Sequence, residues 1–368
     1  MSTDSVQIVD PTYSSCYFKS PIPPFTPSSP SQLIMSISHL PVELLNLVCS
    51  NLSPPDLAAL SSTSSLFYPI AQRILYRNLD LSSSQHNLSV IVTLSKKPSV
   101  AHFVRTLSVT VDSALPPFRP FYRALANALS AMSELTTLHL SLGDTNPSWV
   151  LASSTRHITY PRLHSLTSSF PFDAHVTNFL ERTPALERLE LDTAPVSGTA
   201  PLPHLSHTAI PRLVHFMGSC QAVKVIVPGR PLESIHIHDG DLTEDEVACL
   251  AQSTGHIAVL GAITSALLVP FLQSLARHLP YLAYLRLMAP FHVSSKQSDD
   301  TFYEQVATTL TSMPQLLDFE LSGMHWASSC QVNGASQKRV WQAVPMSTVP
   351  DHHIEDNWDF TSDYAYVY

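Results

Sequence analysis

A short arrangement of apolar residues, L-x-x-L-x-L, recurs through residues 76–322 and constrains the fold of this 368-residue chain more than any other feature. Each unit ends in alternating apolar and polar residues, which predicts a strand with one buried face. The central residues of successive units lie between 19 positions apart (Phe216 to Ile235) and 34 positions apart (Leu285 to Phe319). The ten central residues are Leu79, Leu107, Leu138, Leu166, Leu189, Phe216, Ile235, Leu260, Leu285 and Phe319.

Five stretches between these strands have apolar residues at helical spacing, which predicts amphipathic helices. They cover residues 118–132, 174–182, 243–252, 265–278 and 301–311. Residues 195–231 lack such a pattern, so we expect two middle units without helices. An alternation of helix and strand predicts the α/β class with a parallel sheet.

This periodicity resembles the leucine-rich repeat family, whose units run about 20–29 residues. The resemblance implies a solenoid with a parallel sheet on its concave face. The repeats are irregular, because Gly143, Ala194, Gly240 and Pro290 stand where the family usually has Asn or Cys. An ordinary doubly wound α/β domain is the alternative interpretation.

The segment before the repeats, residues 37–81, has a different texture and predicts three short helices. Pro41 fits the first position of a helix, where its missing N–H is harmless, and Ser53 suits the N-cap of the second helix. The third helix is predicted near residues 66–76, with Phe67 facing inward. Helices this short bury little surface, so the segment needs a partner or a flanking domain.

The helical segment resembles an F-box. The resemblance is carried by Leu40-Pro41, Glu43-Leu44 and Asp56-Leu57 at the family's intervals, although Phe67 stands where many F-boxes have Trp. It implies binding to a Skp-family adaptor and through it to a cullin. The residues that it assigns to adaptor binding are Leu40, Pro41, Glu43, Leu44, Val48, Leu52, Asp56, Leu57 and Leu60. A helical hairpin that merely caps the next domain is the alternative.

The chain therefore divides into four parts. Residues 1–35, rich in Ser and Pro, predict a disordered arm. The resemblances imply a short three-helix F-box at 36–80 and an irregular leucine-rich-repeat solenoid at 81–327. Residues 328–368 form a cap or a tail, with an Asn-Gly turn signal at 333–334 that predicts a hairpin.

Polar residues between the buried strand positions must project from the other face of the sheet. The face is the candidate site for a protein target, because solenoid sheets commonly bind proteins. Its residues are His139, Arg188, Glu190, Asp192, His236, His238, Tyr284, Arg286, Asp318 and Glu320. His236 and His238 lie two residues apart on one strand, so a metal-dependent hydrolase is an alternative.

Composition argues against several other functions. The nine glycines are too scattered for a dinucleotide loop, a P-loop or a nucleophile elbow. Twenty Lys and Arg against 29 Asp and Glu give a net charge of −9, so nucleic-acid binding is not expected. We expect neither a cofactor nor a metal ion.

The cellular compartment follows from cysteines and hydropathy. Five cysteines without a Cys-x-x-Cys pair suggest free thiols, as in the cytoplasm or nucleus, and the amino-terminal residues lack a secretory signal. Residues 247–276 contain no charged side chain, but they divide into a strand at 257–263 and a helix at 265–278. We therefore expect no membrane span. The resemblance to an F-box and to leucine-rich repeats implies a non-catalytic substrate receptor of an SCF-type ubiquitin ligase, or an F-box scaffold outside a ligase.

Overall fold

A computed structural model describes most of the chain between residues 40 and 345. The described ranges are 40–112, 118–143, 147–152, 158–191, 203–289, 299–333 and 336–345. The expected amino-terminal arm and the acidic, aromatic end after residue 345 lie outside these ranges.

Three helices form a small unit at the start of the described chain, as the sequence predicts. They are α1 (Val42–Ser50), α2 (Pro54–Thr63) and α3 (Phe67–Leu75). Pro41 is the N-cap of α1 rather than its first helical residue. The Ser53 hydroxyl accepts a hydrogen bond from the Asp56 N–H at 3.4 Å and so caps α2. The unit has its own core, made of Leu45, Cys49, Leu57, Phe67, Ile70 and Ala71.

One sheet of twelve strands follows, and its strands lie in the same order as in the chain. The first ten strands pair in parallel, whereas β11 and β12 form antiparallel pairs. The parallel strands are β1 (Asn78–Ser82), β2 (Thr106–Thr110), β3 (Thr137–Ser141), β4 (Ser165–Ser168), β5 (Arg188–Leu191), β6 (His215–Ser219), β7 (Ser234–Asp239), β8 (Val259–Ile263), β9 (Tyr284–Met288) and β10 (Asp318–Leu321). All ten predicted strands are present.

The central apolar residues of the ten units lie in register across the sheet. Leu79 pairs with Leu107, and the ladder continues strand by strand to Leu285 and Phe319. From Leu107 onward each of them is at most 2 % exposed. These side chains join the helices in one continuous hydrophobic core, and the intervening strand residues project from the opposite face.

Eight α-helices connect the strands within the described ranges, together with a short 3-10 helix at Ser148–Leu151. They are α4 (Ser89–Lys96), α5 (Pro98–Ala101), α6 (Arg119–Ala131), α7 (Ala174–Leu180), α8 (Cys220–Ile226), α9 (Glu244–Leu250), α10 (Leu268–His278) and α11 (Asp299–Thr311). The five predicted helices are present. The expectation that residues 195–231 lack helices is wrong for α8, whose first turn is capped by the Ser219 hydroxyl on the Ala222 N–H.

A buried arginine stabilises the region around α8, the helix that the sequence does not predict. Arg230 is fully buried, and burial lowers its pKa to about 10, so its guanidinium stays charged near neutral pH. The group donates hydrogen bonds to the backbone carbonyls of Ser206, Ala209, Val225, Ile226 and Pro228. It thereby joins the segment before β6 to the end of α8.

A hairpin of β11 (Met324–Asn333) and β12 (Ser336–Pro345) follows the last parallel strand. Asn333 pairs with Ser336, so the predicted hairpin is present, although Gly334 lies outside the described residues. The hairpin begins four residues before the boundary expected at 328. Trp326 and Trp341 are almost completely buried and extend the core beyond β10.

The uncharged run 247–276 contains the carboxyl-terminal part of α9, then β8 and most of α10. The predicted strand and helix are therefore both present. Within the described ranges, none of the helices combines the length and the apolarity that crossing a bilayer requires.

The register of the sheet predicts opposite effects for neighbouring residues of β5. Leu189→Ala should lower the free energy of unfolding by about 2–5 kcal/mol, because a fully buried side chain leaves a cavity. Arg188→Ala, on the exposed face, should change it by less than about 0.5 kcal/mol. Urea unfolding of both variants measures the difference, and a reversed order would mean that the register is shifted by one residue.

Arg230→Met should lower the free energy of unfolding by about 3 kcal/mol or more, because several backbone carbonyls lose a charged donor. The exposed Arg212 in the same segment supplies the control, and Arg212→Met should stay within about 0.5 kcal/mol of the wild type. Equal unfolding midpoints for the two variants would show that the Arg230 hydrogen bonds contribute nothing.

Candidate binding surfaces

The helix α1 carries apolar residues on two sides. Leu45 and Cys49 face the core of the three-helix unit and are buried. On the outer side, Leu44, Leu47 and Val48 are 47 %, 62 % and 49 % exposed. They stand at i, i+3 and i+4, so they form one continuous surface, here called the α1 patch. Adjacent exposed apolar residues of this kind commonly mark an interaction site.

The structure divides the residues that the sequence assigns to adaptor binding. Pro41, Glu43, Leu44, Val48 and Asp56 are exposed. Leu40, Leu52 and Leu60 are half-buried against the core of the unit. Leu57 is only 3 % exposed, which corrects its assignment as a contact residue: its side chain faces Phe67 and Ile70 in the core rather than solvent.

The residues assigned to target binding fall into two rows on the outer face of the sheet. His139, Glu190, His236, Arg286 and Glu320 occupy equivalent positions in β3, β5, β7, β9 and β10.

Arg188, Tyr284 and Asp318 occupy a parallel row two residues earlier. His238 lies at the irregular end of the β6–β7 pairing. Asp192 lies outside the described residues.

The outer face changes in character along the sheet. The first four strands present mainly Ser, Thr and Asn, such as Ser108 and Thr167. Farther along, larger side chains stand there, including Tyr284 and Met288, which are 45 % and 42 % exposed. Tyrosine, methionine and arginine are the residue types enriched at protein interfaces, so the region from β6 to β9 has the composition typical of an interaction surface.

A notch interrupts this region at Gly261. A Cβ atom at Gly261 would lie 2.5 Å from Nδ1 of His236, so the close approach of that ring requires glycine. The resulting cavity of about 50 Å³ is lined by His236, His238, Ile263, Arg286 and Met288 among others. A cavity of this size admits a small group rather than a whole ligand.

The surroundings of His236 oppose the binding of a cation. Burial lowers its pKa to about 4, and the positive charges of Arg286 and of protonated His215 act in the same direction. Arg286 in turn contacts the Glu320 carboxylate at 3.2 Å. Among the described residues, no group of three or more His, Cys, Asp or Glu side chains could hold a metal ion. The geometry therefore gives no support to the metal hydrolase alternative.

The sequence patterns do not predict one cluster of positively charged side chains. Arg77, Arg105 and Arg162 line an open cleft beside the beginnings of β1 to β4. Two of these arginines stand two residues before a central leucine and the third stands four residues before one. Superposing the repeat units would have revealed the shared position of Arg77 and Arg105, whereas the overall negative charge of the chain gave no sign of the cluster.

Comparison with known proteins supports the resemblance of the three-helix unit to an F-box. The F-box-like family model matches residues 37–82, which include α1, α2, α3 and β1. No curated protein matches the chain. The chain thus contains an F-box-like domain, a kind of domain that generally binds Skp-type adaptors in ubiquitin ligases and is typically non-catalytic.

The low pKa of His236 predicts a pH-dependent stability. Free histidine titrates near 6.5, so between about pH 6.5 and pH 4 the unfolded chain binds a proton that the folded chain does not. Stability should therefore fall as the pH falls through this window. Urea unfolding of the wild type and of His236→Asn should diverge in pH dependence, with the flatter profile for the variant. Parallel profiles would contradict the buried, neutral state of His236.

Proposed function

We propose that this protein is a substrate receptor of an SCF-type cullin ubiquitin ligase. In this proposal, the F-box-like domain binds a Skp-family adaptor, and an irregular leucine-rich-repeat solenoid holds a protein target. The receptor performs no chemistry itself. It raises the effective concentration of the target near the ubiquitin-loaded enzyme. We place it in the cytoplasm or nucleus, where such ligases act.

The α1 patch is the observation that carries the adaptor assignment. A three-helix unit with a core of six buried residues has little apolar area to spare. Nevertheless Leu44, Leu47 and Val48 remain exposed within the matched residues 37–82. A surface of this kind gains stability when a partner covers it, and a few apolar anchors supply most of the energy of such contacts.

The strand ladder supports the repeat part of the proposal. Each unit contributes one parallel strand, its central apolar residue lies in register with those of its neighbours, and strand order follows chain order. This is the arrangement expected of stacked repeats. A doubly wound domain would instead reverse its strand order at a switch point.

The target surface in this proposal is the outer face of the sheet. Tyr284, Arg286 and Met288 alternate with the buried Leu285 and Leu287 along β9. Because they lie on the face opposite the hydrophobic core, they are available for contact without any change in the fold. The Glu320 carboxylate contacts Nε of Arg286 at 3.2 Å, and this ion pair positions the arginine side chain on the outer face.

Adaptor binding should depend on the α1 patch. Leu47→Ala should weaken binding of a purified Skp-family adaptor about thirtyfold, the equivalent of about 2 kcal/mol for one anchor residue. The control is Leu317→Ala, because Leu317 is similarly exposed, at 59 % against 62 %, but lies just before β10. Isothermal titration calorimetry measures both affinities. Undiminished affinity of Leu47→Ala and of the double variant Leu44→Ala/Val48→Ala would refute the assignment.

A reconstituted ligase distinguishes the receptor from a scaffold. A receptor bound to the adaptor should join a complex with the cullin and its ubiquitin-loaded enzyme, as measured by size-exclusion chromatography of the purified components. A complex that stops at the adaptor, with no cullin, would favour the scaffold.

A further inference from the structure

The beginnings of the first four strands carry a concentration of positive charge that lies outside the α1 patch. Arg77, Arg105 and Arg162 line an open cleft of about 590 Å³, together with Asn78, Thr106, Thr136 and His164. The whole chain has only 20 Lys and Arg and a net charge of −9. Three arginines around one cleft are therefore a local departure from the charge of the protein.

The backbone ladder fixes two of these arginines side by side. The Arg105 N–H donates to the Arg77 carbonyl at 2.8 Å, and the Thr136 N–H donates to the Arg105 carbonyl at 2.7 Å. Adjacent strands lie about 4.8 Å apart, so Arg77 and Arg105 start from neighbouring rungs. A separation of this size allows the guanidinium groups of Arg77 and Arg105 to reach one small anion.

One carboxylate of the protein, that of Glu134, already binds two of the three arginines. Glu134 accepts a hydrogen bond from Nη1 of Arg105 and lies 2.7 Å from Nη1 of Arg162. The hydrogen bond from Arg105 is the main cause that lowers the pKa of Glu134, and the charges of Arg105 and Arg162 add to it. Glu134 therefore remains ionised and neutralises one of the three positive charges.

The positive charge that Glu134 leaves uncompensated indicates the charge of the ligand. Within the part of the chain that the structure describes, the exposed Arg77 has no ion-pair partner. The three guanidinium groups and the Glu134 carboxylate bound to two of them leave a surplus of two positive charges, and Glu187 contacts His164 at 3.6 Å instead of one of the arginines. A further carboxylate would neutralise only one of them, whereas a phosphate monoester carries about −1.5 to −2 and three acceptor oxygens. Arginine suits this geometry because its planar group can donate two parallel hydrogen bonds.

We propose that the cleft between Arg77, Arg105 and Arg162 binds a dianionic phosphate group. The phosphate belongs either to a phosphorylated residue of a protein or to a small molecule. This inference goes beyond the proposed function, because neither the adaptor nor the ligase enters it. A nucleic-acid track is a poorer fit, since the three arginines form a compact group within an acidic chain.

The test uses the full chain and follows the arginine Nε–Hε signals by NMR at pH 7.5. Potassium phosphate, N-acetyl-phosphoserine amide and sodium acetate serve as probes. Phosphate should shift the signals of the three arginines saturably, with a dissociation constant of about 1 mM or tighter. Acetate should bind at least tenfold more weakly. The tighter of the two phosphate probes then identifies the source as a modified protein residue or a free phosphate.

Arg77→Gln should weaken phosphate binding at least tenfold without a change in melting temperature, because Arg77 forms no ion pair in the described structure. Arg162→Gln is a second variant should Arg77→Gln fold poorly. Arg277→Gln, at an exposed position on α10, is the matched control and should bind phosphate as the wild type does.

Three results would overturn the proposal. They are the absence of saturation up to about 50 mM phosphate, equal affinity for acetate, and equal loss of binding in the Arg277→Gln control. Tighter binding of a twelve-nucleotide single strand than of phosphoserine amide would also overturn it and would indicate a nucleic-acid surface instead.

Discussion

The register of one row of apolar side chains determines the rest of this structure. Because Leu107, Leu138, Leu166 and Leu189 lie side by side in the core, every residue between buried positions is directed to the other face. A shift of one residue in any strand would exchange the two faces. The positions of His236, Arg286 and Glu320 on one row follow from that register, although these residues are far apart in the chain.

Much of the fold could be predicted from the sequence because this row is written as a short repeated pattern. Alternation predicts the strands, and helical spacing predicts α6, α7, α9, α10 and α11. The apolar pattern does not predict elements that depend on capping or on hydrogen bonds to the backbone. The helix α8 begins directly after the last residue of β6, Ser219, which serves as its cap. The segment before β6 depends on Arg230, whose partners are backbone carbonyls and therefore leave no trace in the composition.

The candidate sites were less predictable, for a physical reason. Leu44, Leu45, Leu47, Val48 and Cys49 are all apolar, so the sequence cannot show which of them face the core of the F-box-like domain. Packing against α3 decides the question, and it places Leu45 and Cys49 inside. The arginine cleft depends on residues separated by 28 and 57 positions, which only the sheet brings together.

Because the strands lie in the same order as in the chain, the number of strands between two residues sets their distance along the sheet. Each added strand moves a residue about 4.8 Å farther, measured along the sheet, from the end that carries the F-box-like domain. The arginine cleft lies at the first four strands, next to that domain, whereas Tyr284 and Arg286 lie eight strand spacings beyond β1. Gain or loss of one repeat between them would change their separation by a single step and leave both surfaces intact. The distance between two surfaces of such a protein can therefore change during evolution without a change in either surface.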